Sequence, residues 1–249
     1  MTKFSLLALT LTLPLALAPS LSQANALTPE QKAEVESIVK EYILNNGKAI
    51  IDSVQTYQTA EQAKADEEMQ KNVGVLAEEI KKDKELPFTG KKDAGITIAE
   101  FYDYNCGYCK KAWQEVQQLL EKDKDIKLVF IDFPILGPSS LEAAKWALAA
   151  QKQGKYFEFH RELMNFQGQK DEASLTKLAK NAGLDLKQLE KDRQDPSIEE
   201  RLTKNREMAE KVGIQGTPGF MINDKIFHGY ISYDAMEGTV KDIREGKTE

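Results

Sequence analysis

One stretch, residues 95–111 (GITIAEFYDYNCGYCKK), restricts what this chain can fold into more than any other. Its apolar positions, Ile96, Ile98, Phe101, Tyr102 and Tyr104, lead to Cys106, and Cys109 follows three residues later where the pattern turns helical. The spacing predicts a strand, a short turn, and a Cys-X-X-Cys that opens a helix. At a helix N-terminus the unpaired N–H groups and the dipole favour an anion. The Cys106 thiolate is therefore expected to be stabilised, with a pKa below the ordinary value of about 8.5.

These are the only two cysteines among 249 residues. Two are too few for a disulfide-stapled scaffold or a four-cysteine zinc site, so no metal and no other cofactor is expected. With 41% apolar and 30% charged residues, the chain has enough apolar material to bury a core. A net charge of −6 argues against nucleic acid as a partner.

Residues 1–26 have the form of a secretory leader: Lys3 near the start, a leucine-rich run over 6–17, then Ser22-Gln23-Ala24 or Ala24-Asn25-Ala26 as a small-X-small cleavage site. The run is about a dozen residues, short of the roughly 20 that span a bilayer. The expected boundaries are a signal peptide over 1–24, a helical arm over 25–87 and a catalytic domain over 88–249. A cleaved leader places the mature protein in an oxidising extracytoplasmic space, the periplasm.

In the arm, Thr28, Pro29 and Gln31 read as N-cap, first-turn proline and capping-box partner, and Val35, Ile38, Val39 and Tyr42 recur at helical spacing. Asn45-Asn46-Gly47 reads as a stop. A second helix carries Ile50, Ile51, Val54 and Tyr57, and a polar stretch leads to Val73, Val75, Leu76 and Ile80, with Gly74 a weak point. Helices this short and narrowly striped need something to pack on. That is either their own catalytic domain or, the favoured reading, the same arm of another subunit. Residues 81–85, followed by Pro87 and Gly90, read as a hinge.

After the Cys-X-X-Cys helix, the run 126–133 has the length and β-branched content of a buried strand, which makes a βαβ unit with a right-handed crossover. A helical insertion over about 138–212 follows, with helices expected at 141–150, 155–166, 174–181, 186–192 and 198–212. Trp146, Phe157, Phe159, Leu163 and Met164 read as its core, and His160 as a structural histidine among them. A hairpin over 216–222 and 226–228 and a last helix over 233–244 complete the chain.

Taken together, Glu100, Cys106-Gly107-Tyr108-Cys109 and Thr217-Pro218 resemble the thioredoxin-fold thiol-disulfide oxidoreductases. The helical insertion before Thr217 is similar to the DsbA branch, and the arm to its oligomeric periplasmic members. The resemblance covers about residue 88 to the C-terminus. It implies an α/β thioredoxin fold with a helical insertion, preceded by a small all-helical oligomerisation arm. It also implies that Cys106 is the exposed nucleophile and Cys109 the buried resolving thiol, paired as a redox-active disulfide when oxidised. Glu100 would be a buried acid relaying the Cys109 proton. Pro218 would be cis over the cysteines, with Thr217, Gly107 and Tyr108 meeting substrate.

The motif lacks the histidine of strongly oxidising members, so Cys106 is expected to be less extremely acidic. The implied partners are unfolded or misfolded cysteine-containing secreted proteins, a DsbB- or DsbD-like membrane redox partner and further copies of the chain, a dimer being favoured over a trimer. The implied function is formation or isomerisation of disulfides. The alternatives are a soft-metal (copper) binding or chaperone role for the same domain, and an inert local disulfide.

Overall fold

The computed structural model describes residues 27–247, so the leader reading lies outside the described residues. Helix α1 (Pro29–Asn45) begins as its capping box dictates: the Thr28 hydroxyl accepts from the Gln31 N–H, and the Gln31 side chain accepts from the Thr28 N–H at 2.9 Å. It ends at Asn46, whose N–H and side-chain amide both donate to the Tyr42 carbonyl. Helix α2 (Gly47–Lys82) follows. The chain divides into two units between Ala60 and Glu61.

In the first unit α1 buries no residue. Ile38, Tyr42 and Leu44 on α1, and Ile51 and Tyr57 on α2, are all exposed. Among the described residues of this unit, nothing supplies the packing partner that their spacing calls for.

The second unit starts well before residue 88, which corrects the expected boundary. Val73, Leu76, Ala77 and Ile80 follow helical spacing along α2 and are buried in one cluster with Phe101, Val129, Ile131, Val212 and Met221. A stripe that reads as arm is thus part of the core of the second unit. Gly74, the expected weak point, lies on the exposed side with open space around it. The expected hinge is pinned as well: Arg201 donates to Asp83 at 2.7 Å and to Glu85 at 2.6 Å, and Leu86 is buried.

The elements then run β1 (Phe88–Gly90), β2 (Ile96–Tyr102), α3 (Gly107–Lys122), β3 (Ile126–Asp132), α4 (Pro138–Lys152), α5 (Tyr156–Asn165), α6 (Glu172–Asn181), α7 (Leu186–Asp192), α8 (Pro196–Lys211), β4 (Gly219–Ile222), β5 (Lys225–His228) and α9 (Tyr233–Arg244). The strands form one sheet in the order β1-β3-β2-β4-β5, with β2 and β3 parallel and the other pairs antiparallel. Every residue of β2 and β3 is buried because both faces of the sheet are covered. Along β2, Ala99 and Phe101 face the cluster shared with α2 and α8, while Ile96, Ile98 and Tyr102 face the larger cluster with α3 and the insertion. Strand alternation puts Glu100 on the second face, the one that also holds Cys109.

Strand β1 was not foreseen: it is three residues long, and its Gly90 reads as a breaker. The glycine is required for another reason. At φ +87° a Cβ there would lie 2.3 Å from the Ile126 carbonyl oxygen. The first hairpin strand is shorter than expected, since residues 216–218 form the loop before β4. Among the described residues, no helix is long and apolar enough to cross a membrane.

Candidate active site

The turn between β2 and α3 is built on Asp103, which is buried. Its carboxylate accepts from the Asn105 N–H at 2.7 Å, the Ser140 hydroxyl at 2.7 Å, and the N–H groups of Ile135 and Leu136 at 2.9 Å. Its carbonyl accepts from the Cys106 N–H at 3.0 Å. The bond to Asn105 is an Asx turn of the kind an Asp two residues before a bend can make. That signal lies in the sequence, although it is too common to single Asp103 out.

Cys106 is the N-cap of α3, in extended backbone geometry, and its Sγ accepts from the Cys109 N–H at 3.3 Å. As a thiol it also donates to the Thr217 carbonyl at 3.2 Å. The carbonyl bond exists only for the protonated sulfur, whereas the helix N–H favours the thiolate. The thiolate prevails: hydrogen bonding from Cys109 first, then from the Thr217 side chain and the Cys109 and Tyr108 backbone, holds the Cys106 pKa down at about 6 against the effect of burial.

Only 7% of Cys106 is exposed, less than the expected open nucleophile, because Thr217 covers the sulfur. Cys109, one turn inside α3, is completely buried. Burial, the contact with Cys106 and the nearness of Glu100 all push its thiol far up. Both cysteines are free thiols in this structure.

Glu100 is fully buried, with neither carboxylate oxygen hydrogen-bonded to protein. Burial, with a smaller effect from Cys106, raises its pKa to about 8. Opposite the cysteines, the Thr217–Pro218 peptide is cis and Pro218 is buried. A cavity of about 340 Å³ beside it is lined by Gly213, Gln215, Gly216, Thr217, Pro218, His228 and Gly229. Gly107 is exposed with open space around it, and Tyr108 is exposed with its ring centroid 6.4 Å from that of Tyr230. The structure thus gathers Cys106, Cys109, Thr217 and Pro218 into direct proximity, with Glu100 within electrostatic reach of both sulfurs.

His160 lies in the core, 3.1 Å from the Tyr104 hydroxyl, and burial lowers its pKa to about 3. It is a neutral structural group, as its apolar setting predicts. Asn105 in the cysteine turn, and Ser140 and Lys170 that bind it from the insertion, carry no motif or spacing that marks them in the sequence. Chemically the arrangement offers one sulfur that is mainly thiolate at neutral pH and a second held protonated behind it.

A family model described as Thioredoxin matches residues 81–242. Among curated proteins, the chain is 30% identical over 153 residues to the Na(+)/H(+) antiporter NhaA 1 of Salinispora arenicola (strain CNS-205), covering 61% of this chain but only 24% of that protein. It is 27% identical over 176 residues to Disulfide bond formation protein D of Bacillus subtilis (strain 168), covering 65% of this chain and 78% of the relative. Among solved structures, a thioredoxin-like oxidoreductase from Silicibacter pomeroyi DSS-3 superposes with a TM-score of 0.65 at 36% identity, covering 67% of this chain and 96% of the other. ScsC of Proteus mirabilis in a transitional conformation does so with a TM-score of 0.64 at 29% identity, covering 87% and 96%. The chain accordingly spans about a quarter of the length of the antiporter it matches and nearly all of the solved oxidoreductase. With the family model covering well over half of its residues, and a sheet and cysteine turn of the matching form, the chain belongs to the thioredoxin family.

Proposed function

We propose that this protein is a dithiol-disulfide oxidoreductase that forms or isomerises disulfides in secreted proteins. The observation that carries the reading is the inequality of the two thiols: Cys106 held near 6 at the N-cap of α3, Cys109 buried and pushed far up. The Cys106 thiolate attacks one sulfur of a substrate disulfide; a mixed disulfide forms and the other substrate sulfur leaves as a thiolate. If Cys109 then attacks Cys106, the substrate departs reduced and the Cys106–Cys109 disulfide forms. The reverse sequence oxidises a substrate dithiol. If a third substrate cysteine displaces Cys106 instead, the substrate is isomerised and the enzyme is unchanged. Glu100 is the proposed relay for the Cys109 proton in the resolving step: its carboxylate form, populated as pH rises toward about 8, accepts that proton.

Several observations support the wider reading. The half-buried Thr217 and the cavity beside it offer a backbone edge for an extended peptide. The leader supports an extracytoplasmic, periplasmic location, and a disulfide-forming role there calls for a membrane redox partner of the DsbB or DsbD type. The exposed apolar residues of α1 and the start of α2 support assembly of several copies, which favours isomerisation because more than one thiolate can reach one misfolded chain.

The test is refolding of a scrambled-disulfide protein by the mature chain. Cys106→Ser is expected to abolish activity. Cys109→Ser is expected to retain attack but accumulate mixed disulfide, visible by mass. Activity that survives Cys106→Ser would overturn the assignment.

A further inference from the structure

The loop 166–171, between α5 and α6, is tied to the cysteine motif on both sides. Lys110, next to Cys109, donates through Nζ to the Phe166 carbonyl. In the opposite direction Lys170 donates through Nζ to the Asn105 Oδ1 at 2.9 Å, and Asn105 directly precedes Cys106. The Asn105 amide nitrogen then donates to the hydroxyls of Ser139 at 2.8 Å and Ser140 at 2.9 Å, at the start of α4. Asn105 is therefore held between two separate parts of the insertion. Lys170 is only 4% exposed, and among the described residues its hydrogen-bond partner is this neutral amide. Burying an ammonium is costly unless it is compensated, so its presence beside a reactive thiol calls for an explanation.

The charges around Lys170 are Lys110 of α3, which disfavours its protonation, and Asp103 of the cysteine turn, which favours it. Asp171, its neighbour in sequence, is turned away to cap α6 at the Ser174 N–H. Burial is the largest influence, lowering the pKa to about 8, so the side chain is still mainly cationic at neutral pH.

Resting on the dithiol reading above, we propose that Lys170 is a positioning residue for Cys106, acting through Asn105, so that the helical insertion sets the reactivity of the redox site. The Cys106 thiolate is held first by the Cys109 thiol and also by the α3 N–H groups, the Cys109 N–H lying 3.3 Å from its Sγ, so it depends on where the N-cap holds the sulfur. That placement depends on the backbone at 105–106. Lys170 fixes the acceptor end of the Asn105 amide, and the α4 serines fix the donor end. With Lys170 neutral and apolar, the amide loses its charged donor and the N-cap loosens, so the thiol form of Cys106 gains over the thiolate.

The test is thiolate absorbance at 240 nm against pH, on reduced full-length protein, for Lys170→Met, Lys170→Gln, Asn105→Ala and the double variant. Lys170→Met and Asn105→Ala are each expected to raise the Cys106 pKa by roughly one unit, Lys170→Gln by less because it keeps a neutral donor, and the equilibrium with glutathione is expected to shift toward the enzyme disulfide by up to about tenfold. The double variant is expected to shift no further than the larger single one, as for residues acting in series. Far-ultraviolet circular dichroism identifies any variant that fails to fold, and Asn105→Ala, which removes the other end of the same contact, stands in if Lys170→Met does. An unchanged Cys106 pKa in a folded Lys170 variant overturns the proposal, and fully additive shifts overturn the route through Asn105. A wild-type pKa at the ordinary 8.5 instead overturns the dithiol reading, so the two failures are distinguishable.

Discussion

Cys106 and Glu100 pull the stability of this protein in opposite directions as pH changes. The folded Cys106 value of about 6 lies below the ordinary value of about 8.5, so its thiolate stabilises the reduced fold. That contribution is complete above about pH 9, shrinks as pH falls, and is gone below about 6. Urea unfolding of the reduced and disulfide forms at pH 5 to 9 should show the reduced form losing ground as pH drops, whereas parallel curves would contradict the assigned thiolate. Glu100 carries the reverse sign. Its value is raised from 4.5 to about 8, so the pH-linked penalty of its burial is absent below pH 4.5, and stability is lost as pH rises toward 8. Glu100→Gln should flatten that decline, by at most about 1.4 kcal/mol per pH unit. A residual slope is expected from Asp132, buried and raised to about 7. Unaltered slope in Glu100→Gln would remove Glu100 from the account. At this scale the motif cysteines and Glu100 were legible in the sequence. Asn105 and Lys170 were not, because their importance lies in a contact between residues 65 positions apart.

Among the elements, the short crossing between α2 and β1 is fixed rather than hinged. Arg201 of α8 is 8% exposed at its side chain and binds both Asp83 and Glu85. The Asp83 carboxyl is held below its usual range, by the Arg201 guanidinium and neighbouring N–H groups acting against burial. Because Glu85 is largely exposed, the loss on Arg201→Met is expected at the low end for a buried pair, about 1–3 kcal/mol in urea unfolding. Gly90→Ala should cost more, since it meets both a left-handed backbone and the Ile126 carbonyl, and it should detach β1 from β3. An Ala variant with wild-type stability would contradict the placement of β1. Helices with caps and stripes were readable to within a few residues. The three-residue β1 was not, because its pairing is decided by β3, some forty positions later.

For the whole molecule, the division at residue 60 changes where the arm can be cut. Removing residues 27–60 leaves Val73, Leu76, Ala77 and Ile80 in place, whereas removing 27–87 strips them, and Leu86, from the core. The shorter deletion should yield a folded, lower-order species in sedimentation that keeps dithiol oxidation and loses isomerisation. The longer one should unfold at distinctly lower urea, since each buried aliphatic side chain is worth roughly 1.5–3 kcal/mol. Equal oligomeric state with and without residues 27–60 would remove the arm from assembly.

By itself the sequence determined the cysteine turn, the parallel strand pair, the five-helix insertion and the hairpin, because each is written in local spacing, caps and breakers. Only the tertiary structure decided that residues 73–86 belong to the core of the second unit, that Thr217 covers the Cys106 sulfur, and that Lys170 reaches Asn105. Those outcomes depend on which faces meet across long separations. An apolar stripe records that a helix face is to be buried, and leaves the surface that buries it unstated.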